Sequence, residues 1–234
     1  MSLATMQPAR GSPSAVARKS NVAPVQKTAG ARTVTAPALL TAQISGHVDL
    51  HAGRGQEVEA GEVGDTLVYY VPAAGGARAK PIHFNIYTHH RDFNPEAVAV
   101  PLGSTVTFVN LDSVRHNVFS VTPGTAFNLG YQGAGKRAAH VFTQAGLVLV
   151  SCNVHHSMEL DMLVIPTPYS GRLAADGSFT LSGLPPGAGT LHFWNPRALL
   201  ASQPVSLPLR GTVRQVLQAI KPRMRTELNV GIAP

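Results

Sequence analysis

The chain has 234 residues, of which 44% are hydrophobic and only 13% are charged, with 22 glycines and 18 prolines. This length suits one large domain or two small ones, and the composition favours short strands and frequent turns over long helices. No apolar run, residues 146–150 among them, approaches the roughly 20 residues of a membrane-spanning helix, so the sequence predicts no transmembrane span.

The net charge of +7 is concentrated at the two ends of the sequence. Residues 1–48 contain five basic and no acidic residues, residues 206–234 five basic and one acidic, and residues 49–205 nine basic and eleven acidic. The body is therefore close to neutral, which argues against nucleic acid as a partner of the folded part. The ends are interpreted as solvated tails, with weak contact to an acidic partner or an anionic surface as the alternative.

Residues 1–40 are rich in Ala, Ser, Thr, Pro and Arg and show no apolar periodicity, which predicts a disordered or leader segment. They contain no apolar core of a secretory signal, although an organelle transit peptide has a similar composition. From residue 41 onward, β-rich runs alternate with turn residues, which predicts a sandwich or barrel. The predicted strands are residues 43–50, 66–71, 82–87, 96–100, 104–110, 117–121, 139–142, 147–152 and 162–165.

The pattern changes after Pro168. Residues 171–181 predict a β-hairpin with Asp176-Gly177 at its turn, and residues 184–187 predict a second turn followed by a strand. Apolar residues in the segment 213–220 recur at helical spacing, which predicts about two turns of helix.

The only cysteine, Cys152, lies three residues before His155 and six before Met158, and His116 follows a predicted turn upstream. A thiolate, two imidazoles and a thioether form a soft, mixed donor set that selects copper over magnesium or calcium. Two His, one Cys and a weak axial Met are the ligands of a blue-copper electron-transfer site. The residues themselves therefore predict a type 1 copper site.

Two other interpretations of Cys152 stay open. A lone cysteine in an apolar strand is on general grounds an inert core residue, and a Cys–His pair can also act as a nucleophile. Solvent-exposed or satisfied core histidines are the simplest interpretation of the remaining imidazoles, which receive no role. These are His47, His51, His89, His90 and His156, while His83, His140 and His192 are assigned to packing or the surface.

Residues 81–168 resemble the cupredoxins, in particular a plastocyanin-like bacterial group related to methylamine-utilisation proteins. The resemblance lies in the runs 98–110, 116–120, 127–130 and 145–158, in that order along the chain. It implies a Greek-key β-sandwich with copper bound by His116, Cys152, His155 and Met158. It further implies that Asn117 ties the two ligand loops together by hydrogen bonds.

Residues 167–196 resemble the carboxypeptidase regulatory-like fold, a small Ig-like sandwich, through Asp176-Gly177-Ser178-Phe179 and Leu184-Pro185-Pro186-Gly187. Strands before residue 72 fit the same fold. We therefore expect one split sandwich, with its first strands in 41–72 and its remainder, with a basic C-terminal tail, in 167–234. The cupredoxin domain, 80–166, is inserted between them.

The combined prediction is an all-β, non-enzymatic type 1 copper protein that carries single electrons between redox partners. A periplasmic or secreted location is expected, although no export signal is evident. Two rivals remain: a copper-binding or delivery protein without electron-transfer duty, and a structural or carbohydrate-binding-like sandwich with a vestigial copper site.

Overall fold

The computed structural model describes residues 41–222 and 228–231, and these form strands with a single 3-10 turn at Glu62–Asp65. No helix among them is long and apolar enough to cross a membrane. The strands are β1 (Ala42–Ala52), β2 (Leu67–Pro72), β3 (His83–His89), β4 (Asp92–Asn94), β5 (Ala97–Pro101), β6 (Thr105–Asn110), β7 (His116–Ser120), β8 (Phe127–Gln132), β9 (Arg137–Val141), β10 (Gly146–Cys152), β11 (Glu159–Ile165), β12 (Ser170–Arg172), β13 (Ser178–Leu184), β14 (Gly187–Trp194), β15 (Ala201–Leu207), β16 (Val213–Ala219) and β17 (Asn229–Val230). The prediction of an all-β sandwich fold is confirmed.

Four sheets stack in pairs. Sheet I has the strand order β13-β1-β16, sheet II β12-β2-β14-β15, sheet III β17-β5-β11-β10-β7-β8 and sheet IV β4-β3-β6-β9. Buried side chains of sheets I and II share one apolar cluster, and those of sheets III and IV share another. Each pair is thus a β-sandwich whose inner faces form its core.

Sheets I and II form the split sandwich, so called because its strands come from two separate stretches of the chain. Strand β1 pairs with β13 and, in parallel, with β16, while β2 pairs with β12 and β14. Strands β1 and β2 therefore pair only with strands that lie at residue 170 or later in the chain. This pairing is what an inserted domain requires, and the domain boundaries themselves stay a proposal.

Sheets III and IV form the continuous sandwich, because β3 to β11 follow one another along the chain. Pro101 ends β5, and Gly103, with a φ of 88°, makes the tight turn into β6. This left-handed backbone favours glycine. The one strand from elsewhere is β17, which pairs in parallel with β5. Residues 229–230 thus pair with a strand of the continuous sandwich, although we expect residues 167–234 in the split one.

A third apolar cluster joins the two sandwiches. It holds Leu67 and Tyr69 of β2, Trp194 of β14 and Leu163 of β11, all buried. Sheets II and III are therefore buried on both faces, which explains why β2 and β5 are continuous apolar runs instead of alternating ones. The sole tryptophan lies in this shared layer.

The helix predicted over residues 213–220 is wrong, because this segment is strand β16. Val213, Leu217 and Ala219 point into the core while Val216 is exposed, so the real period is two. Parallel pairing with β1, far away in the sequence, decides the conformation. Local apolar spacing carries no information about that partner.

The hairpin predicted over residues 171–181 also needs correction. The turn forms, with Gly177 at a φ of 85° and its N–H donating to the carbonyl of Ala174 at 2.9 Å. The flanking strands do not form one hairpin, however, because β12 pairs in sheet II and β13 in sheet I. The turn is therefore a corner between two sheets.

Candidate metal centre

Four loops meet at one end of the continuous sandwich, which we call the ligand end. They are residues 90–91, 111–115, 133–136 and 153–158. Strands β3 and β6 run in parallel towards this end, β10 also ends there, and β7 and β11 begin there. The two short loops 111–115 and 133–136 cross between sheets III and IV at this end. Side chains from distant parts of the sequence are thus brought together.

The register of β7 and β10 places His116 and Cys152 on the same face. Cys152 is paired with Val118, and His116 lies two residues before Val118 on β7. Side chains two apart on a strand, and side chains of paired residues, share a face of the sheet. Both residues are buried, so this face is the inner one, at the edge of the core.

His155 completes a convergent set of donor atoms with these two residues. Its Nδ1 lies 3.2 Å from Nδ1 of His116, whose Nδ1 is 3.7 Å from Sγ of Cys152. The three ligand atoms all lie within 4.8 Å of one another. His155 is half-buried, unlike the other two, so the set reaches solvent through this ring.

The spacing of the three atoms suits trigonal metal ligation. Metal–N and metal–S bonds of about 2.0 and 2.3 Å, the values for zinc, give N–N and N–S separations of about 3.5 and 3.7 Å in a trigonal plane. The two separations that involve Nδ1 of His116 are 3.2 Å to Nδ1 of His155 and 3.7 Å to Sγ of Cys152, and the third pair lies within 4.8 Å. Two imidazoles and one thiolate at these distances fit a copper ion.

Asp112 fixes the tautomer of His116. Its Oδ2 lies 2.8 Å from Nε2 of His116. A carboxylate only accepts hydrogen bonds, so Nε2 carries the proton and Nδ1 keeps its lone pair facing Cys152 and His155. Partners of this kind orient histidine ligands and make them better donors.

The same carboxylate also holds a tight turn between β3 and β4. Its two oxygens accept the backbone N–H groups of His90 and Arg91 at 2.8 and 3.0 Å. Burial alone would raise the pKa of Asp112, but the Arg91 N–H, the His116 ring and the His90 N–H more than offset this and lower it. Asp112 is therefore a charged acceptor at neutral pH and joins the turn to the candidate ligand.

The imidazole of His155 is held in its ligating form. Burial lowers the pKa of His155, as do the neighbouring His116 and the charge of Arg91, while Asp112 acts in the opposite direction. The ring is therefore neutral at pH 7, and a neutral imidazole is the form that binds metals.

Asn110 connects the loops of the ligand end from inside. Its Oδ1 accepts hydrogen bonds from Thr88 and from the N–H of Asp112, and its Nδ2 donates to the carbonyls of Val114 and Gln132. The side chain is buried and all of its polar positions are used. We did not predict a role for Asn110 or Asp112, because their partners come from other strands and loops.

The structure does not bring every predicted residue into the donor set. Met158 is fully buried in the same apolar cluster as Cys152, and its assignment as a fourth ligand remains a prediction. Asn117 donates to Asn128 on β8 at 2.7 Å, and its buried Oδ1 has no hydrogen-bond partner among the described residues. The tie between ligand loops that the resemblance implies is thus not formed by Asn117.

The other histidines divide between the two sandwiches. His89 and His90 lie at the ligand end with ring centroids 3.8 Å apart, and His156 is exposed in the loop that carries His155. His47 and His51 lie on β1 of the split sandwich. Within the described residues, the only group of three or more His, Cys, Asp or Glu side chains placed to hold a metal ion is His116, Cys152 and His155.

No protein-family model and no curated protein sequence matches this chain. Part of it is similar to solved cupredoxin structures. A purple cupredoxin from Nitrosopumilus maritimus has 27% sequence identity and a TM-score of 0.32, and the match covers 35% of this chain and 98% of that one. A pseudoazurin from a Sinorhizobium species has 18% identity and a TM-score of 0.32, with coverage of 37% and 76%.

A copper-containing nitrite reductase from Thermus scotoductus has 23% identity and a TM-score of 0.34, and the match covers 42% of this chain but 25% of the reductase. This chain thus matches a quarter of an enzyme as well as most of two smaller cupredoxins. All three TM-scores lie below 0.5, so the functional proposal rests on the donor geometry of the ligand end.

Proposed function

We propose that this protein binds one copper ion through His116, Cys152 and His155, with Met158 as a weak axial ligand, and carries single electrons between redox partners. The observation that carries the proposal is the convergence of two imidazole nitrogens and one thiol sulfur at trigonal spacing. A set of this type is characteristic of blue-copper electron-transfer sites.

The residues of the site have separable roles in this proposal. Bound copper would supply a one-electron Cu(I)/Cu(II) couple. Cys152 and His116, both buried, hold it inside the sandwich edge and away from bulk water. His155, half-buried, provides the contact with solvent through which a partner is reached. Asp112 and Asn110 hold the donor atoms in one arrangement, which keeps the rearrangement between oxidation states small.

The first experiment is optical titration of the purified apoprotein with Cu(II). We expect an intense visible band from thiolate-to-copper charge transfer that saturates at one copper per chain. The variant C152S should lose this band completely, and H155A should weaken or shift it. H156A is the matched control, since it removes the neighbouring exposed imidazole and should leave the band unchanged.

Two further results separate the rival functions. A reversible one-electron wave in voltammetry supports electron transfer. Copper binding without the visible band would instead support a delivery protein, and no binding would support the structural alternative. A Met158→Leu variant whose potential equals that of the wild type would remove Met158 from the ligand set.

A periplasmic or secreted location belongs to the same proposal, and it rests on the resemblance to cupredoxins alone. Fractionation of cells that express the full chain tests it. Recovery of the copper-loaded protein in the cytoplasm only would contradict it.

A further inference from the structure

The exposed charges at the ligand end are mostly positive. Arg91, Arg115, Lys136 and Arg137 are all exposed in or beside its loops, whereas Glu159 is the only fully exposed acid there among the described residues. The other acids at this end, Asp92, Glu96 and Asp112, are half-buried. A partner would therefore meet a cationic rim, although the body of the chain is nearly neutral.

Exposed apolar side chains lie at the same end of the sandwich, in or beside the same loops. Val154, next to His155 in the ligand loop, is 38% exposed, and Leu111, next to Asp112, is 55% exposed. Tyr131 is also exposed, and the guanidinium of Arg115 lies 4.8 Å from the centre of its ring. An apolar centre with a polar rim is the usual anatomy of a protein–protein interface.

The turn that carries Arg91 has an uncommon backbone. It joins β3 to β4, and both of its central residues have positive φ, 56° at His90 and 62° at Arg91. Glycine or asparagine is the usual choice for such two-residue turns, because side chains are disfavoured at positive φ. The turn persists because Asp112 accepts both of its N–H groups. Strained backbone of this kind is frequent at functional sites. At this turn, it is occupied by His90 and Arg91, whose side chains a glycine would not provide.

Arg91 is also linked to the donor set. Its N–H donates at 3.0 Å to the Asp112 oxygen that lies 2.8 Å from Nε2 of His116. The strained turn therefore holds a permanently charged residue one carboxylate away from a candidate ligand. No other described loop of the ligand end combines a strained backbone, a charged side chain and a hydrogen bond to Asp112.

We propose that the cationic rim formed by Arg91, Arg115, Lys136 and Arg137 is a docking surface for a redox protein whose own docking face is acidic. This inference rests on the proposed electron-transfer function and adds the chemistry of the partner. Arg91 and Arg115 attract the acidic face, and Leu111 and Val154 form the dry centre against which it packs. Long-range attraction of this kind raises association rates by about 10–1,000-fold at low salt.

An acidic protein surface fits these observations better than nucleic acid or lipid. Electron transfer requires another redox centre close to His155, which a phosphate backbone does not supply. The partner is thus expected to contact the rim at separate points around an apolar centre.

Stopped-flow reduction of the Cu(II) protein by reduced cytochrome b5, a redox protein with an acidic haem edge, tests the proposal. We expect the wild-type rate constant to fall as ionic strength rises. The double variant R91E/R115E should react at least about 10-fold more slowly at low salt and lose that salt dependence, because rim charges act mainly on association. Its visible band should be unchanged, and its potential is measured so that a lower association rate can be separated from a change in driving force.

Two other variants make the result specific. R210E/R214E changes the net charge equally, but on the split sandwich, and should react like the wild type. R91G removes the charge while suiting the positive φ, so it should keep the turn and still lower the rate several-fold.

An equal effect of both double variants, or no effect of either, would overturn the proposal. So would binding of the wild type to phosphatidylglycerol vesicles or to duplex DNA that R91E/R115E loses, since the rim would then serve a different class of partner. Failure of the electron-transfer function gives another signature, because the wild-type protein would then show no visible copper band at all.

Discussion

Two buried polar clusters, one from each sandwich, differ in how completely they are satisfied. In the split sandwich, the guanidinium of Arg197 donates to Glu62, to the side chain of Gln56 and to the backbone carbonyls of Glu57 and Lys221. In the continuous sandwich, two imidazole nitrogens and a thiol face one another around a common point. The first cluster is complete within the protein, while the ring nitrogens and the thiol of the second face one another in an arrangement placed to hold a metal ion.

This difference separates a structural role from a binding role. A buried polar group without a hydrogen-bond partner is costly, so natural proteins satisfy such groups internally unless the site serves a ligand. Arg197 is 3% exposed and connects the loop that carries Glu62 to the end of β16. Arg197 therefore has a structural role, whereas the proposed function rests on His116, Cys152 and His155.

The largest expected effect is a loss of folding stability when Arg197 is removed from its fully hydrogen-bonded cluster. The variant R197A leaves the Glu62 carboxylate buried without its charge partner, and breaking a buried pair in this way destabilises a protein by about 3–5 kcal/mol. Urea unfolding followed by circular dichroism measures the loss. The control is R172A, which breaks the ion pair of Arg172 with Asp65, where the arginine is more exposed, and should cost below about 1 kcal/mol. Equal losses would contradict the comparison.

The next effect concerns the layer that joins the two sandwiches. Burial raises the pKa of Tyr69 to about 12, from 10 for an ordinary tyrosine. The folded protein then holds this proton more tightly than the unfolded chain. This difference contributes about 3 kcal/mol to the free energy of unfolding. The contribution is fully present below pH 10 and is lost as the pH rises towards 12.

Unfolding by urea at pH 9 and pH 11.5 measures this contribution. The Y69F variant cannot ionise at this position and should lose correspondingly less stability between the two pH values. If Y69F and the wild type lose the same amount, Tyr69 does not report on the shared layer.

A smaller effect is expected at Asp112, which orients the ring of His116. D112A removes the acceptor that holds the Nε2 proton of His116, and loss of such a partner typically weakens metal binding by about 10–100-fold. Competition for Cu(I) with a chelator of known affinity measures the change. D49A is the matched control, because Asp49 forms a similar pair with His47 at 3.2 Å on the split sandwich. Unchanged affinity in D112A would mean that the sandwich alone orients the ring.

The smallest effect is a gain in stability. A left-handed backbone conformation destabilises a residue that has a side chain by about 1–2 kcal/mol. Glycine avoids this cost, but it loses more conformational entropy on folding, which cancels part of the gain. We therefore expect R91G to be more stable by about 0.5–1 kcal/mol in urea unfolding. R137G, in regular strand β9, should instead be less stable. A destabilised R91G would show that the side chain of Arg91 supports the turn.

Local patterns in the sequence predicted most of the strands and the donor set. Cys152 and His155 are close along the chain, and His116 begins a strand that ordinary β signals indicate. The roles of Asp112 and Asn110 could not be predicted, because a carboxylate in a loop gives no sign of which turn or ring it will meet. Arg197 was missed for the same reason, since Glu62 is far from it in the sequence. The helix predicted at 213–220 failed because β1 decides the conformation of that segment.

The separation between the strands of the split sandwich has a consequence for the order of folding. Thr66 beside β2 is hydrogen-bonded to Asn195, 129 residues later, whereas β3 to β11 find nearly all their partners within one stretch. Long-range pairing is slow because a large loop must close first. During synthesis, β3 to β11, which include the strand that carries Cys152, would leave the ribosome while β1 and β2 still wait for β12 to β16. Pulse-labelled hydrogen exchange should therefore show protection of β10 and β11 before protection of β2, and simultaneous protection would exclude this order.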